Sequence, residues 1–99
     1  MQAEPAGNRP KRSTPVDIHV GMRVRERRTA LGMSQPTLAA ALGISYQQLS
    51  KYEQAQNRIS VSRLYDLSKV LGVPITFFLE GIAETEATAQ TPKRRPKAG

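Results

Sequence analysis

From about Asp17 to Ala83 the apolar side chains return every three or four residues, and glycines cut the pattern into short pieces. This is the spacing of helices with one inward face, separated by breaks that a left-handed residue can make. A first helix is expected over Asp17–Leu31, with Val20, Val24 and Leu31 at helical spacing and Gly32 ending it. Ser34 is placed to cap a second helix that tolerates Pro36 in its first turn and ends at Leu42 before Gly43. Ser45-Tyr46-Gln47-Gln48 fits the Ser-x-x-Gln capping pattern and opens a third helix to about Gln54. A fourth starts near Ser60 and is expected to bury Val61, Leu64, Leu67 and Leu71 before Gly72. Pro74 then admits a short fifth, Ile75–Leu79. No stretch of useful length alternates with the period of two of a strand, and no internal repeat is visible. The pattern predicts an all-α domain.

Outside that domain the pattern lapses. Residues 1–16 carry Pro5, Pro10 and Pro15, and residues 84–99 are filled by Ala, Thr, Pro and basic residues, so both read as disordered basic tails around a domain at 17–83. Ninety-nine residues suffice for one compact domain. The chain holds no cysteine, which removes disulfides and thiolate metal sites and suits a reducing compartment. No apolar run is long enough for a membrane span or shaped like a secretory signal. A cytoplasmic, nucleoid-associated protein is the expectation.

The net charge is +7, with a pI near 10.4. Such an excess points to a polyanionic partner without naming it. More than half of it lies in the two tails, at +2 each. Within the first helix, Arg23, Arg25, Arg27 and Arg28 read as a solvated face.

The densest constraint falls on eighteen residues, Gln35–Tyr52. Two short helices crossing steeply through a tight turn need a small residue where they approach, supplied by Ala39, and a left-handed turn residue, supplied by Gly43. Leu38, Leu42, Ile44 and Leu49 would close the core between them, with Tyr52 extending it. The outward positions of the second of these helices are Tyr46, Gln47, Gln48, Ser50 and Lys51. An ordinary exposed helix mixes Glu with Lys at i,i+4 spacing, whereas this face has no carboxylate. Glutamine can pair bidentately with adenine in a major groove, a hydroxyl can reach several base edges, and lysine can meet phosphate or guanine. The face is suited to reading double-stranded DNA.

Residues 20–80 resemble the phage Cro/repressor (XRE-type) helix-turn-helix family. The marks are Arg28, Gly32-Met33-Ser34-Gln35, Leu38-Ala39, Leu42-Gly43, Tyr52-Glu53 and Leu71-Gly72-Val73. The run Lys51–Leu64 and the ending Pro74–Gly81 are similar to stand-alone alphaproteobacterial members. The resemblance implies a compact five-helix, lambda-repressor-like fold. It implies that Gln35 contacts phosphate and braces the third helix, and that Tyr46, Gln47 and Ser50 read bases. Gln48 and Lys51 then lie nearer the DNA backbone, Ser45 joins the DNA-binding set at the start of the helix, and the loop residues Gln56, Asn57 and Arg58 lie on phosphate. It also implies a buried Arg28–Glu53 pair. Three departures stand out: Pro36-Thr37 in place of an acidic pair, Gln54-Ala55 in place of Asn-Gly, and the bulky Tyr46.

The implied function is a sequence-specific regulator, a repressor acting as a homodimer on an inverted repeat. Other readings fit the same sequence: an antitoxin that also binds a toxin protein, and a protein-interaction module on the same fold. His19 is expected as a surface or capping residue, because a single histidine without cysteine makes no metal site. Phe77, Phe78 and Leu79 either complete the core or seal a dimer. No nucleophile has a histidine-plus-acid arrangement and no phosphate loop is present. Enzyme activity, a cofactor and a small-molecule ligand are therefore not expected.

Overall fold

The computed structural model describes residues 14–83. Among the described residues four α-helices follow one another, α1 (Pro15–Ala30), α2 (Gln35–Leu42), α3 (Tyr46–Glu53) and α4 (Val61–Leu71), and a 3-10 helix (Ile75–Leu79) comes after them. The described residues contain no strand. The predicted fifth helix is thus a 3-10 turn. Five residues entered through Pro74, with no side-chain cap, offer little to hold a wider helix together.

α1 begins two residues earlier than the apolar pattern predicts. Thr14 and Asp17 form a reciprocal capping box: the Asp17 amide donates to Thr14 Oγ1 at 3.1 Å and the Thr14 amide to Asp17 Oδ2 at 3.0 Å. Pro15 occupies the first turn, where its missing N–H costs nothing. Residues 14–16 therefore belong to this helix and its cap, although the pattern assigned them to a tail. The rest of the predicted tails, 1–13 and 84–99, lies outside the described residues.

The other three helices are capped alike. Ser34, Ser45 and Ser60 accept the amides of Thr37, Gln48 and Arg63, each at 3.1 Å. Helices of eight residues gain little from propensity alone, so caps and packing must hold them. α2 stops at Gly43, whose φ of +75° permits the sharp turn into α3.

The core is one cluster: Val20 and Val24 of α1, Leu38, Ala39 and Leu42 of α2, Leu49 of α3, Leu67 and Leu71 of α4, and Phe78. Phe78 is fully buried, and Phe77 meets it edge to face at 5.5 Å. Ala39 is 2% exposed at the crossing of the short helices, as its size suggested. Val61 departs from expectation. It is 78% exposed, because the first residue of α4 lies beyond the reach of the core. Leu31 is also exposed, since it caps α1 rather than continuing its inner face.

His19 is another correction. It is 4% exposed, and its Nε2 hydrogen-bonds the Glu80 carbonyl, tying α1 to the residue after the 3-10 helix.

The arginines of α1 are not one solvated face. Arg23 Nε donates to the Phe77 carbonyl at 2.9 Å, and Arg27 Nε to the Leu71 carbonyl at 3.0 Å. Arg28 is buried, and only Arg25 stays exposed. Arg63 of α4 does the same for α2, donating to the Leu42 carbonyl at 3.1 Å. Carbonyls at helix ends lack partners within their own helix, and these side chains supply them.

Gly21 fixes how closely α1 crosses the end of α3. A Cβ there would stand 2.6 Å from the Tyr52 carbonyl oxygen and 2.8 Å from that of Glu53. Both obstacles are backbone, so the helices would have to separate. In an open helix Gly→Ala stabilises by roughly 0.5–1 kcal/mol. Here Gly21→Ala is expected to cost about 1–3 kcal/mol instead, the range of an overpacked core. Urea denaturation followed by circular dichroism gives the sign directly.

Candidate nucleic-acid interface

The site is assembled where α1, the start of α2 and the end of α3 meet. Arg28 donates to Glu53 twice, Nε to Oε2 at 2.7 Å and Nη2 to Oε1 at 3.0 Å. Its Nη1 donates to the Met33 carbonyl at 2.8 Å, just ahead of α2. Gln35, the first residue of α2, adds Nε2 to Glu53 Oε1 at 3.0 Å. The implied buried pair is present, and Gln35 braces α3 as the resemblance suggested. The Glu53 side chain is 2% exposed and that of Arg28 10%. This lock orients α3 against the rest of the domain.

On the outer side of α3, Tyr46, Gln47 and Lys51 are exposed while Gln48 and Ser50 are half-buried. Leu49 and Glu53 take the inner side. The outward face thus carries a phenol, two carboxamides, a hydroxyl and an ammonium, with Ser45 exposed at its N-cap. The structure brings Ser45, Tyr46, Gln47, Gln48, Ser50 and Lys51 onto one short helix, with Gln35 beside its far end.

The loop after α3 is joined to this face by a hydrogen-bond chain. Gln56 Nε2 donates to Gln54 Oε1 at 3.0 Å, and Gln54 Nε2 donates to Ser50 Oγ at 2.9 Å. Ser50 therefore accepts from within the protein and keeps its O–H to donate outward. The sequence singles out Gln54 only within the departure from Asn-Gly and not as a site residue, although its i,i+4 spacing from Ser50 is the available signal. The Gln56 amide donates to the Lys51 carbonyl at 2.8 Å, which folds the loop back on α3.

Ala55 makes that fold-back with φ +60°, the left-handed conformation that glycine adopts more easily. The departure from Asn-Gly leaves a left-handed step at this point. Burial of the Ala55 methyl, in a residue 7% exposed, offsets part of the strain.

Arg58 is not wholly free. Its Nε donates to Asp17 Oδ2 at 3.1 Å, yet its side chain remains 67% exposed. Gln56 and Asn57 are exposed beside it. Between the lock and the outward face runs a groove of about 500 Å³, lined by Arg25, Arg28, Ser34, Gln35, Ser50 and Gln54 among others.

Two capped helices joined at Gly43, the second locked from behind and polar in front, define a helix-turn-helix. The helix-turn-helix family HTH_3 matches residues 24–78, and the chain belongs to it. An HTH-type transcriptional regulator of Sinorhizobium medicae is 54% identical over 70 residues, covering 71% of this chain and 50% of that protein. A transcriptional regulator in the ATPase CF(0) region of Rhodospirillum rubrum is 58% identical over 67 residues, covering 68% and 62%. The chain thus spans only half to three-fifths of these relatives. Their names are those of regulators, not of enzymes. Among solved structures, the restriction-modification controller protein C.AhdI of Aeromonas hydrophila matches with TM-score 0.59 and 31% identity, covering 62% of this chain and 92% of that one. The DNA-binding domain of the P22 C2 repressor matches with TM-score 0.60 and 31% identity, covering 63% and 82%.

The lock has a measurable signature. Glu53→Leu or Arg28→Met alone leaves a buried charge without its counter-charge and is expected to cost about 3–5 kcal/mol. The double variant Arg28→Met/Glu53→Leu should cost clearly less than the sum of the single losses. Chemical denaturation of the four proteins as a double-mutant cycle reads that coupling.

Proposed function

We propose that this protein is a sequence-specific double-stranded DNA-binding regulator, a repressor that acts as a homodimer on an inverted repeat. The observation that carries the proposal is the outward face of α3. It is polar and without carboxylates, and it is held rigid from behind by Arg28, Glu53 and Gln35. An eight-residue helix can enter a major groove only if its supports stay outside, and here they do.

In this reading Tyr46, Gln47 and Ser50 face bases. Ser50, already an acceptor toward Gln54, offers its proton to a base acceptor. Ser45, Gln48 and Lys51 lie toward the backbone, Gln35 abuts one phosphate, and Gln56, Asn57 and Arg58 abut others. Asp17 steadies Arg58 without covering it. Repression is supported by the likeness to the P22 C2 repressor domain. A homodimer is favoured because one such domain offers a small interface, and two-fold symmetry doubles the specificity at half-sites roughly 34 Å apart. Leu79, 40% exposed, borders a small cleft with Val16 and can contribute to such an interface, whereas Phe78 is consumed by the core.

The test is footprinting on a duplex selected from a random pool, with the full chain at stated salt. Protection of an inverted repeat is the expected result, and a uniform salt-sensitive coating would contradict sequence-specific dimeric binding. Gln47→Ala/Lys51→Ala should lose the footprint while keeping the wild-type circular dichroism spectrum. A footprint unchanged in that folded variant would remove α3 from the interface.

A further inference from the structure

Of the four arginines in α1, three are committed to the fold. Arg23 and Arg27, four residues apart, share a face and donate to carbonyls of the C-terminal segments. Arg28 spends Nε and Nη2 on Glu53 and Nη1 on Met33. Arg25 is different. Two residues from both Arg23 and Arg27, it lies about 200° around the helix from them. It falls instead on the face of Gly21 and Arg28, the face that crosses the end of α3. Its guanidinium is exposed and makes no ion pair or hydrogen bond among the described residues.

That position puts Arg25 in the wall of the groove with Ser34, Gln35, Ser50 and Gln54. The charged groups of the wall are Arg25, Arg28 and Glu53, so its formal charge is +1. Glu53 does not serve as a counter-ion for Arg25. Its two oxygens already accept three hydrogen bonds, and its side chain is almost wholly covered. The groove therefore offers one unspent cation among hydroxyls and carboxamides, directly beside the outward face of α3. A guanidinium so placed matches an anionic oxygen pair.

We propose that Arg25 binds a backbone phosphate of the duplex, extending the interface onto α1. The contact is independent of sequence and belongs to register and affinity, not base choice. This inference rests on the DNA-binding reading above.

The test compares the full-length wild type with Arg25→Ala, Arg25→Lys and, as a remote exposed cation on α4, Lys69→Ala. Binding is titrated by fluorescence anisotropy against potassium chloride, on the pool-selected duplex and on a mixed-sequence duplex. Arg25→Ala is expected to weaken both by the same factor and to flatten the plot of log affinity against log salt by about 0.9, the value for one phosphate. Arg25→Lys should keep most of the slope, and Lys69→Ala all of it. A wild-type slope in Arg25→Ala overturns the proposal. So does a loss confined to the selected duplex, which would make Arg25 a base reader. A lowered melting temperature with an unchanged slope would overturn it too, by making Arg25 a support for α3. Gln47→Ala/Lys51→Ala is run in parallel. If it loses binding while Arg25→Ala keeps the full slope, the DNA-binding reading stands and this inference falls. If wild type binds neither duplex, both fall.

Discussion

The Arg28–Glu53 pair is the constraint on which the arrangement of the short helices depends. Burying two charges costs several kcal/mol for each ion, so such a pair is poor value as mere stabilisation. Its geometry suggests another role. One carboxylate receives two donors from α1 and one from the first residue of α2, while it stands on the last residue of α3. Three elements are thereby referred to a single group. A change in the angle between α2 and α3 would break at least one of these bonds inside a poorly solvated site. Gly21 reinforces this from the same face of α1, since only a bare Cα lets that helix lie on the Tyr52 and Glu53 carbonyls.

Short helices create a second problem, which the chain solves with arginine. Each helix leaves carbonyls unpaired at its end, and with eight-residue helices such ends make up much of the backbone. Arg63 answers the end of α2, Arg27 the end of α4, Arg23 the 3-10 helix, and Arg28 the segment after α1. Arg23 also lies over the Phe77 ring at 3.8 Å and pairs with Glu26 and Glu80. Much of the positive charge in the domain is thus structural.

That division explains what could be read from the sequence and what could not. The positions of α2, α3 and α4, the Ser34 and Ser45 caps, Gly43 and the inward Leu38, Leu42, Leu49, Leu67 and Leu71 follow from local rules with fixed spacing, and they appear as expected. A helical wheel parts Arg25 and Arg28 from Arg23 and Arg27, but it does not say which of the four meets a partner. What commits Arg23 and Arg27 to the fold is the location of carbonyls more than forty residues away, which no local pattern encodes. Gly21 has the same invisibility, because inside a helix it reads only as a small penalty until α3 is laid across it. His19 reads as a surface residue until Glu80 returns to cover it. The Thr14–Asp17 box is local and legible as Thr-x-x-Asp, but it lies ahead of the apolar periodicity by which the helix start is placed. The polar face of α3 was the easiest feature of the site to recognise. The Gln54 link to Ser50 was harder, because it depends on side-chain direction as well as spacing.

The arginine-to-carbonyl contacts also bear on how the protein is handled. They join a charge to a dipole over about 3 Å and are largely sheltered, so dissolved ions do little to weaken them. Attraction to a polyanion acts through counterions and fades steeply as salt rises. The two uses of arginine therefore separate during purification: a concentrated salt wash can strip carried-over nucleic acid from the resin-bound protein without loosening the helix ends.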